Sequence, residues 1–335
     1  MSHDLDGFLE HAGLANPGTQ RTWTPLAGGV SSDIWRVDIE GGPSVCVKRA
    51  LAKLKVTADW HAPISRNAYE WEWLLFAEGV LPMSVPKPLA HDEREGAFAM
   101  EFLAAQDHPL WKAQLLAGDV QASVGAAVGT TVGTLHAASA HRSDLALRFD
   151  TTQSFHALRL EPYLTATGQR RPELASRLAA LVDTTAQTRI ALVHGDVSPK
   201  NILAGPGGPV LLDAECAWYG DPAFDVAFFL NHLILKSVAV PGAQDALRQA
   251  FSSFLDAYFA ETAAMESRQS LEARSAALLP ALLLARVDGK SPVEYITTDE
   301  ARDAVRAASI PLVESPVFHL QEVADFAYPK IKEAL

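Results

Sequence analysis

Hydrophobic and polar positions change rhythm along this chain, from a mostly two-residue alternation to a mostly helical one. Residues 4–14 put Leu5, Phe8, Leu9 and Ala12 on one side of a short helix. From Leu26 the period falls to two. Ile34, Arg36 and Asp38 alternate with Trp35, Val37 and Ile39, and Val45-Cys46-Val47-Lys48 ends the next strand. A helix follows over residues 65–78, then a short strand over residues 98–103 behind the charged turn 92–95. Beyond that point helical spacing dominates, over residues 174–181, 225–235, 243–259 and 271–286. Residues 303–335 read as partly helical, interrupted by Pro311, Pro316 and Pro329. Gly125, Gly129 and Gly133 recur every four residues on one face of a segment ending in Leu135-His136. Each interior glycine costs a helix about 1 kcal/mol relative to alanine, so close backbone packing is the expected compensation.

Inside this helical half lies one β interlude. Residues 190–193 form a short apolar run that enters the loop His194-Gly195-Asp196-Val197-Ser198-Pro199-Lys200-Asn201. Residues 201–204 and 209–212 are strand-like and joined by Gly205-Pro206-Gly207-Gly208, a strong turn signal. If Ala204 faces Pro209, Asn201 falls opposite Leu212, and Asp213 lies one step along the ladder. The hairpin then brings an amide oxygen and a carboxylate beside the loop that carries Asp196. Such oxygen groups on rigid backbone suit a hard divalent cation and a general base. Glu215, two residues after Asp213, is expected on the same side of an extended strand.

Composition narrows the class. The chain has 335 residues, long enough for two lobes, with hydrophobic content of 48% and 20% charged residues, as in globular enzymes. A net charge of −12 argues against nucleic acid or an anionic membrane as partner. Two cysteines, Cys46 and Cys216, cannot build a disulfide framework. The start, Met-Ser-His-Asp-Leu-Asp, has no basic or apolar leader, and the apolar run 276–285 is too short to span a bilayer. A cytoplasmic enzyme, monomer or homodimer, is expected.

The constellation of His194, Gly195, Asp196 and Asn201, then Asp213 and Glu215, matches H-G-D-x-x-x-x-N followed by D-x-[DE]. It resembles the kinase-like small-molecule phosphotransferases, which include aminoglycoside phosphotransferases, choline kinases and methylthioribose kinases. Tyr219-Gly220-Asp221-Pro222-Ala223-Phe224-Asp225 continues the match. The resemblance implies an α+β, protein-kinase-like two-lobed fold: a small β-rich lobe over residues 1–103 and a larger, mostly helical lobe over 104–335. It implies ATP and Mg²⁺, with Asp196 accepting a hydroxyl proton and Asn201, Asp213 and Glu215 at the metal. Gly28 and Gly29 let backbone approach a phosphate closely, and Ser31 and Ser32 can bond its oxygens. By resemblance Lys48 meets the α and β phosphates, steadied by Glu70, with Glu72 as second choice. Cys46, two residues before Lys48, shares its strand face and lies toward adenine. The Glu101 carbonyl and Leu103 amide match the backbone positions that pair with the base. The expected activity is transfer of the γ-phosphate of ATP to a hydroxyl of a small molecule: a sugar, aminoglycoside or amino alcohol. A nucleotide-binding regulatory pseudokinase without turnover is the alternative.

Looser likenesses to methylthioribose kinases are the stretch Lys53-Leu54-Lys55 with Asp59-Trp60, and the phrase over residues 225–235. Against them, those enzymes bind their sugar through an adjacent arginine pair, whereas Arg286 stands alone, and they carry a smaller hydroxyl residue where this chain has Asn201. Arg286, Asp288 and Lys290 leave the end of an apolar helix as either substrate contacts or solvated helix-end charges. Trp218 and Tyr219 are expected to pack under the loop, and His136 to be a hydrogen-bonded core residue.

Overall fold

A computed structural model describes residues 5–26, 32–51 and 64–335. The first lobe is a five-stranded sheet. Its strands are β1 (Arg21–Pro25), β2 (Ser32–Ile39), β3 (Val45–Ala50), β4 (Pro88–Asp92) and β5 (Ala97–Glu101), in the order β1-β2-β3-β5-β4. Every neighbouring pair is antiparallel. Strand alternation sends Val37, Val45, Val47, Ala97 and Ala99 to one face, where they pack on Leu5, Phe8 and Leu9 around the short helix Asp6–His11. The residues between them, Cys46 and Lys48, must therefore point the other way. On that side lies the helix Arg66–Val80, whose Trp73 and Leu74 join Phe98 in the main core.

The second lobe is mostly helical and is built around Ala223–Ala239. Residues 223–238 of this helix are all buried, so it is apolar nearly all round, as a central helix must be. It runs beyond the expected 225–235, and its buried polar exceptions are Asp225, Asn231, His232, Lys236 and Ser237. The helix Ala122–Ser139 lies against Gln244–Glu261 through its glycine face. A Cβ at Gly125 would come within 2.6 Å of the Ala250 carbonyl oxygen, and one at Gly129 within 2.5 Å of that of Phe254. Close packing is what the glycine spacing secures.

The prolines near the carboxy terminus behave differently from expectation. Pro311 lies inside the helix Asp299–Glu314 and Pro329 inside Leu320–Ala334, and only Pro316 falls in the break between them. Tertiary packing of Val305, Leu312, Val323 and Ile331 in the main core outweighs the ladder hydrogen bond that each internal proline forgoes. Three short strands complete the β interlude: β6 (Ala191–Val193), β7 (Ile202–Gly205) and β8 (Gly208–Leu211), followed by β9 (Trp218–Gly220), which pairs with β6. In the β7–β8 hairpin Ala204 stands opposite Pro209, and the Leu212 amide donates to the Asn201 carbonyl at 2.9 Å. Among the described residues, no helix is long and apolar enough to cross a membrane.

The glycine seam gives a stability test. Gly129→Ala adds a methyl group against backbone that cannot move independently. We expect a loss of about 1–3 kcal/mol from overpacking, despite the better helix propensity of alanine. An unchanged urea midpoint would show that the two helices part without cost.

Candidate active site

The site lies where the second face of the sheet meets the β interlude. Lys48 projects from β3 and is almost fully buried. Its Nζ donates to Glu70 Oε1 at 2.7 Å and, on the other side, to Asp213 Oδ1. Burial opposes the Lys48 charge, but the carboxylates of Asp213 and Glu70 outweigh it and hold the pKa above that of ordinary lysine. Asp213 shows the opposite balance: burial would raise its pKa, yet Lys48 and then Lys200 hold it well below the carboxylate range. Burial pushes Glu70 up to about 8 against the attraction of Lys48, because one ammonium is shared between two acids. Asp213 also takes a left-handed backbone, with φ of 67°. That conformation is uncommon outside glycine and turns the chain sharply as it leaves β8.

This turn corrects the expectation for Glu215. Asp213 and Glu215 do not share one face of an extended strand. The chain leaves β8 at Leu211, and Glu215 sits in a turn with its Oε2 accepting from Arg66 Nε at 3.0 Å. Asn201 remains at the mouth of the hairpin, and its Nδ2 donates to the Asp196 carbonyl at 3.1 Å.

Asp196 is buried and held by two cations. Its Oδ2 lies 2.9 Å from Lys200 Nζ and 3.0 Å from Arg159 Nη2. Burial alone would raise its pKa, but the charges of Lys200 and Arg159 keep the carboxyl below its ordinary value. Arg159 also donates from Nε to the Gly195 carbonyl at 2.5 Å. Asp225, at the start of the central helix, accepts the backbone N–H groups of His194 at 2.7 Å and Gly195 at 2.8 Å. His194 Nδ1 lies 3.2 Å from the Asp196 N–H and Nε2 3.1 Å from the Leu212 carbonyl, which assigns the Nε2–H tautomer. Burial pulls the His194 pKa down, in keeping with a neutral ring. Gly195 has φ of 79°, and a Cβ there would meet the Cys216 carbonyl oxygen at 2.7 Å, so only glycine fits.

With this geometry in hand, residues 22–266 match the phosphotransferase enzyme family. The chain belongs to that family. Among curated proteins it is similar to the methylthioribose kinase of Erwinia tasmaniensis, at 26% identity over 77% of this chain and 74% of that enzyme. It is also similar to the methylthioribose kinase of Pectobacterium atrosepticum, at 24% identity over 70% of this chain. The chain spans 64% of the length of the Pectobacterium enzyme. An amicoumacin kinase solved with AMP-PNP and Ca²⁺ shares the fold, with a TM-score of 0.57, 18% identity and 95% of both chains covered. The choline kinase of Cryptosporidium parvum shares it too, with a TM-score of 0.52, 13% identity, and 100% of this chain and 95% of that one covered. The two-lobed α+β architecture is thus that of the kinase-like phosphotransferases.

Within this family site the residues singled out from sequence divide clearly. Lys48, Glu70, Asp213, Asp196 and Asn201 come together. Ser32 opens β2 opposite Ala50 and is buried. Cys46 is buried two residues before Lys48 on β3, and burial pushes its thiol up to about 12, so it behaves as a small hydrophobe. Glu101 ends β5 and Leu103 follows it, half-buried. Glu72 pairs instead with Arg148 on the surface at 3.0 Å. Gly28, Gly29 and Ser31, with Lys53, Leu54, Lys55, Asp59 and Trp60, lie outside the described residues. Trp218 stacks on Phe155 at 4.3 Å, and His136 bonds Tyr258 and Asp225, so these are packing residues.

Sequence reasoning missed Arg159 and the Arg66–Glu215 pair, and gave no role to Asp225. Asp225 had a signal, since it closes the quoted G-D-P-A-F-D phrase. Arg159 had none: it sits in a π-helical stretch, His156–Thr165, whose wide turns break helical spacing.

Asp225→Ala tests the support of the loop. It leaves two buried N–H groups without an acceptor, each costing about 1–3 kcal/mol. We expect the unfolding free energy to fall by about 2–5 kcal/mol in urea titration. A loss below 1 kcal/mol would show that the loop does not depend on this carboxylate.

Proposed function

We propose that this chain is a small-molecule kinase that moves the γ-phosphoryl group of ATP to a hydroxyl. The single observation that carries this reading is the convergence of Lys48, Asp213 and Asp196 within a member of the phosphotransferase family. On this reading the small lobe reaches to about residue 103, and ATP lies between the lobes. Lys48, steadied by Glu70, binds the α and β phosphates; Gly28, Gly29, Ser31 and Ser32 are the proposed further phosphate contacts. Cys46 packs on the adenine, and the backbone of Glu101 and Leu103 pairs with it.

Asn201 and Asp213 would hold Mg²⁺. An amide oxygen and a carboxylate are hard donors, and Mg²⁺ usually completes its shell with phosphates and water rather than an all-protein cage. That suits a site where, among the described residues, no group of three or more acids, histidines or cysteines could hold a metal ion by itself. Glu215, engaged by Arg66, serves to lock the chain after Asp213 rather than to supply a strand-aligned third ligand. When bound, the ion neutralises charge on the transferred phosphoryl group.

In the reaction the acceptor oxygen forms its bond to the γ phosphorus while the bond to the β–γ bridging oxygen breaks. ADP leaves with that electron pair, and the hydroxyl proton passes to Asp196. With two cations upon it Asp196 is a weak base. The loose character of phosphoryl transfer makes this tolerable, because the proton need leave only late and orientation does most of the work.

Asp196→Asn preserves shape and removes the proton acceptor. Turnover should fall by about 10²- to 10⁴-fold, while the Kd for Mg·ATP stays close to wild type. Near-normal ADP release would sink the role of Asp196. Asp213→Ala should weaken Mg·ATP binding and nearly abolish turnover, read by calorimetry with and without Mg²⁺. Unaltered Mg²⁺ dependence would show that Asp213 holds no metal.

A further inference from the structure

Beside the loop, on the side of the large lobe, is a small cavity of about 20 Å³. Lys200, whose Nζ touches Asp196, forms part of its wall, so it adjoins the proposed base. The wall is lined with basic residues. Lys236 and His232 come from one face of the central helix, four residues apart, and Arg286 comes from the end of the helix Arg268–Asp288. Lys112 also lines it, but is tied to Glu294, the sole acid in the wall.

Several polar groups of this wall are not satisfied by the protein. Lys236 is 1% exposed, and among the described residues its ammonium makes no ion pair or hydrogen bond; its close contact is the face of the Tyr295 ring, 3.5 Å from the centroid. Arg286 Nε, His232 Nε2 and the Tyr295 hydroxyl are buried without a hydrogen-bond partner. The other side of Arg286 is fixed, with Nη1 donating to Tyr163 Oη at 2.8 Å and Ser291 Oγ at 3.1 Å. Burial, with the charges of Lys112 and Arg286, outweighs the pull of Glu294 and brings Lys236 down to about 7, and burial with the surrounding basic groups pulls His232 well below its usual value. A protein rarely leaves so many buried donors idle. Water can serve them, but water does not offset clustered positive charge.

We propose that this cavity, with room for about one water-sized group, takes an oxygen of an acceptor oxyanion, a carboxylate or a phosphate ester, so that the substrate is a hydroxyl compound carrying negative charge. The identification as acceptor site rests on the kinase reading above; the anion site itself does not. Arg286 supplies the fixed charge, a bound anion would hold Lys236 in its charged form, and the Tyr295 hydroxyl and the free Arg286 N–H supply directed donors. The π-helical stretch serves both places, since its Arg159 holds Asp196 and its Tyr163 holds Arg286. The distance between anion and reacting hydroxyl is thereby set by one rigid segment. An acceptor that is cationic, such as an aminoglycoside or amino alcohol, would be repelled.

The test starts without nucleotide. The full chain is titrated by calorimetry with glycerate and gluconate, with glycerol 3-phosphate, with uncharged glycerol and sorbitol, and with sodium sulfate. We expect at least one charged hydroxyl compound to bind at least about tenfold more tightly than its uncharged counterpart, and Lys236→Met to remove about tenfold or more of that affinity. The carboxylate and phosphate arms decide between the two oxyanions. Lys236→Met should also raise Tm, because it removes the cost of burying or deprotonating a lysine ammonium, whereas a structural role for that group would lower it. If that variant fails to fold, Tyr295→Phe replaces it and should weaken the same ligand. Equal binding of charged and uncharged compounds, binding of sulfate alone, or unchanged affinity in both variants would overturn the anion site. ADP release with Mg²⁺ and ATP then separates the two readings. A charged compound that binds through Lys236 but is never phosphorylated keeps the anion site and removes its assignment to the acceptor. Turnover of an uncharged or cationic acceptor, untouched by Lys236→Met, keeps the kinase and likewise removes the acceptor assignment.

Discussion

Lys48 is the point on which the two lobes agree. Its ammonium comes from the sheet, one of its acids from the helix Arg66–Val80 and the other from the loop after β8. Lys48 and Glu70 are withdrawn from bulk water and Asp213 partly so, and removing one partner of a buried pair typically costs about 3–5 kcal/mol. The pairing therefore sets the height of the helix over the sheet and the closeness of the lobes. Within the cleft the charges of Lys48 and Asp213 offset each other. On the reading proposed above, a nucleotide with its metal would have to offer Lys48 and Asp213 better partners than each other.

The second constraint is the central helix, Ala223–Ala239. Near its first turn Asp225 accepts the N–H groups of His194 and Gly195 and so fixes the loop that carries Asp196. Farther along, His232 and Lys236 enter the cationic cavity. One buried rod thus carries the support of the loop at one end and the cations of the cavity at the other. Few of its positions are free to vary without moving something functional. The neighbouring glycine seam, between Ala122–Ser139 and Gln244–Glu261, keeps the surrounding bundle tight enough for that precision.

Backbone strain is placed with the same economy. Asp213 adopts a left-handed φ where the chain must leave β8 and present a carboxylate to Lys48. Glu215 and Arg66 then close the turn, with Arg66 Nη2 also donating to the Leu51 carbonyl at 2.6 Å. An extended continuation would have carried Asp213 and Glu215 onto one face, as alternation alone implies. Tertiary partners decided otherwise, because a buried guanidinium near Glu215 outweighs the local preference for extension.

What the sequence determined by itself was whatever is local. Period-two alternation in Val45-Cys46-Val47-Lys48 already separates core from cleft. The turn Gly205-Pro206-Gly207-Gly208 sets the hairpin register that brings Asn201 beside Asp213, and the four-residue glycine spacing announces a close helix contact. These follow from bond geometry and side-chain size within a few residues. The tertiary structure alone decided the pairings across long separations: Arg159 with Asp196, Arg66 with Glu215, and Arg286 with Tyr163. Pro311 and Pro329 read as breaks, yet lie within helices because core packing outweighs a missing hydrogen bond. The cationic cavity is the clearest case. Lys112, Lys200, Lys236 and Arg286 are scattered over the chain and look like ordinary solvated charges, in a protein whose net charge is −12. Only folding takes Lys236 out of water and sets it against a tyrosine ring rather than an acid, since burial and charge neighbourhood are properties of the folded surface and have no period in the sequence.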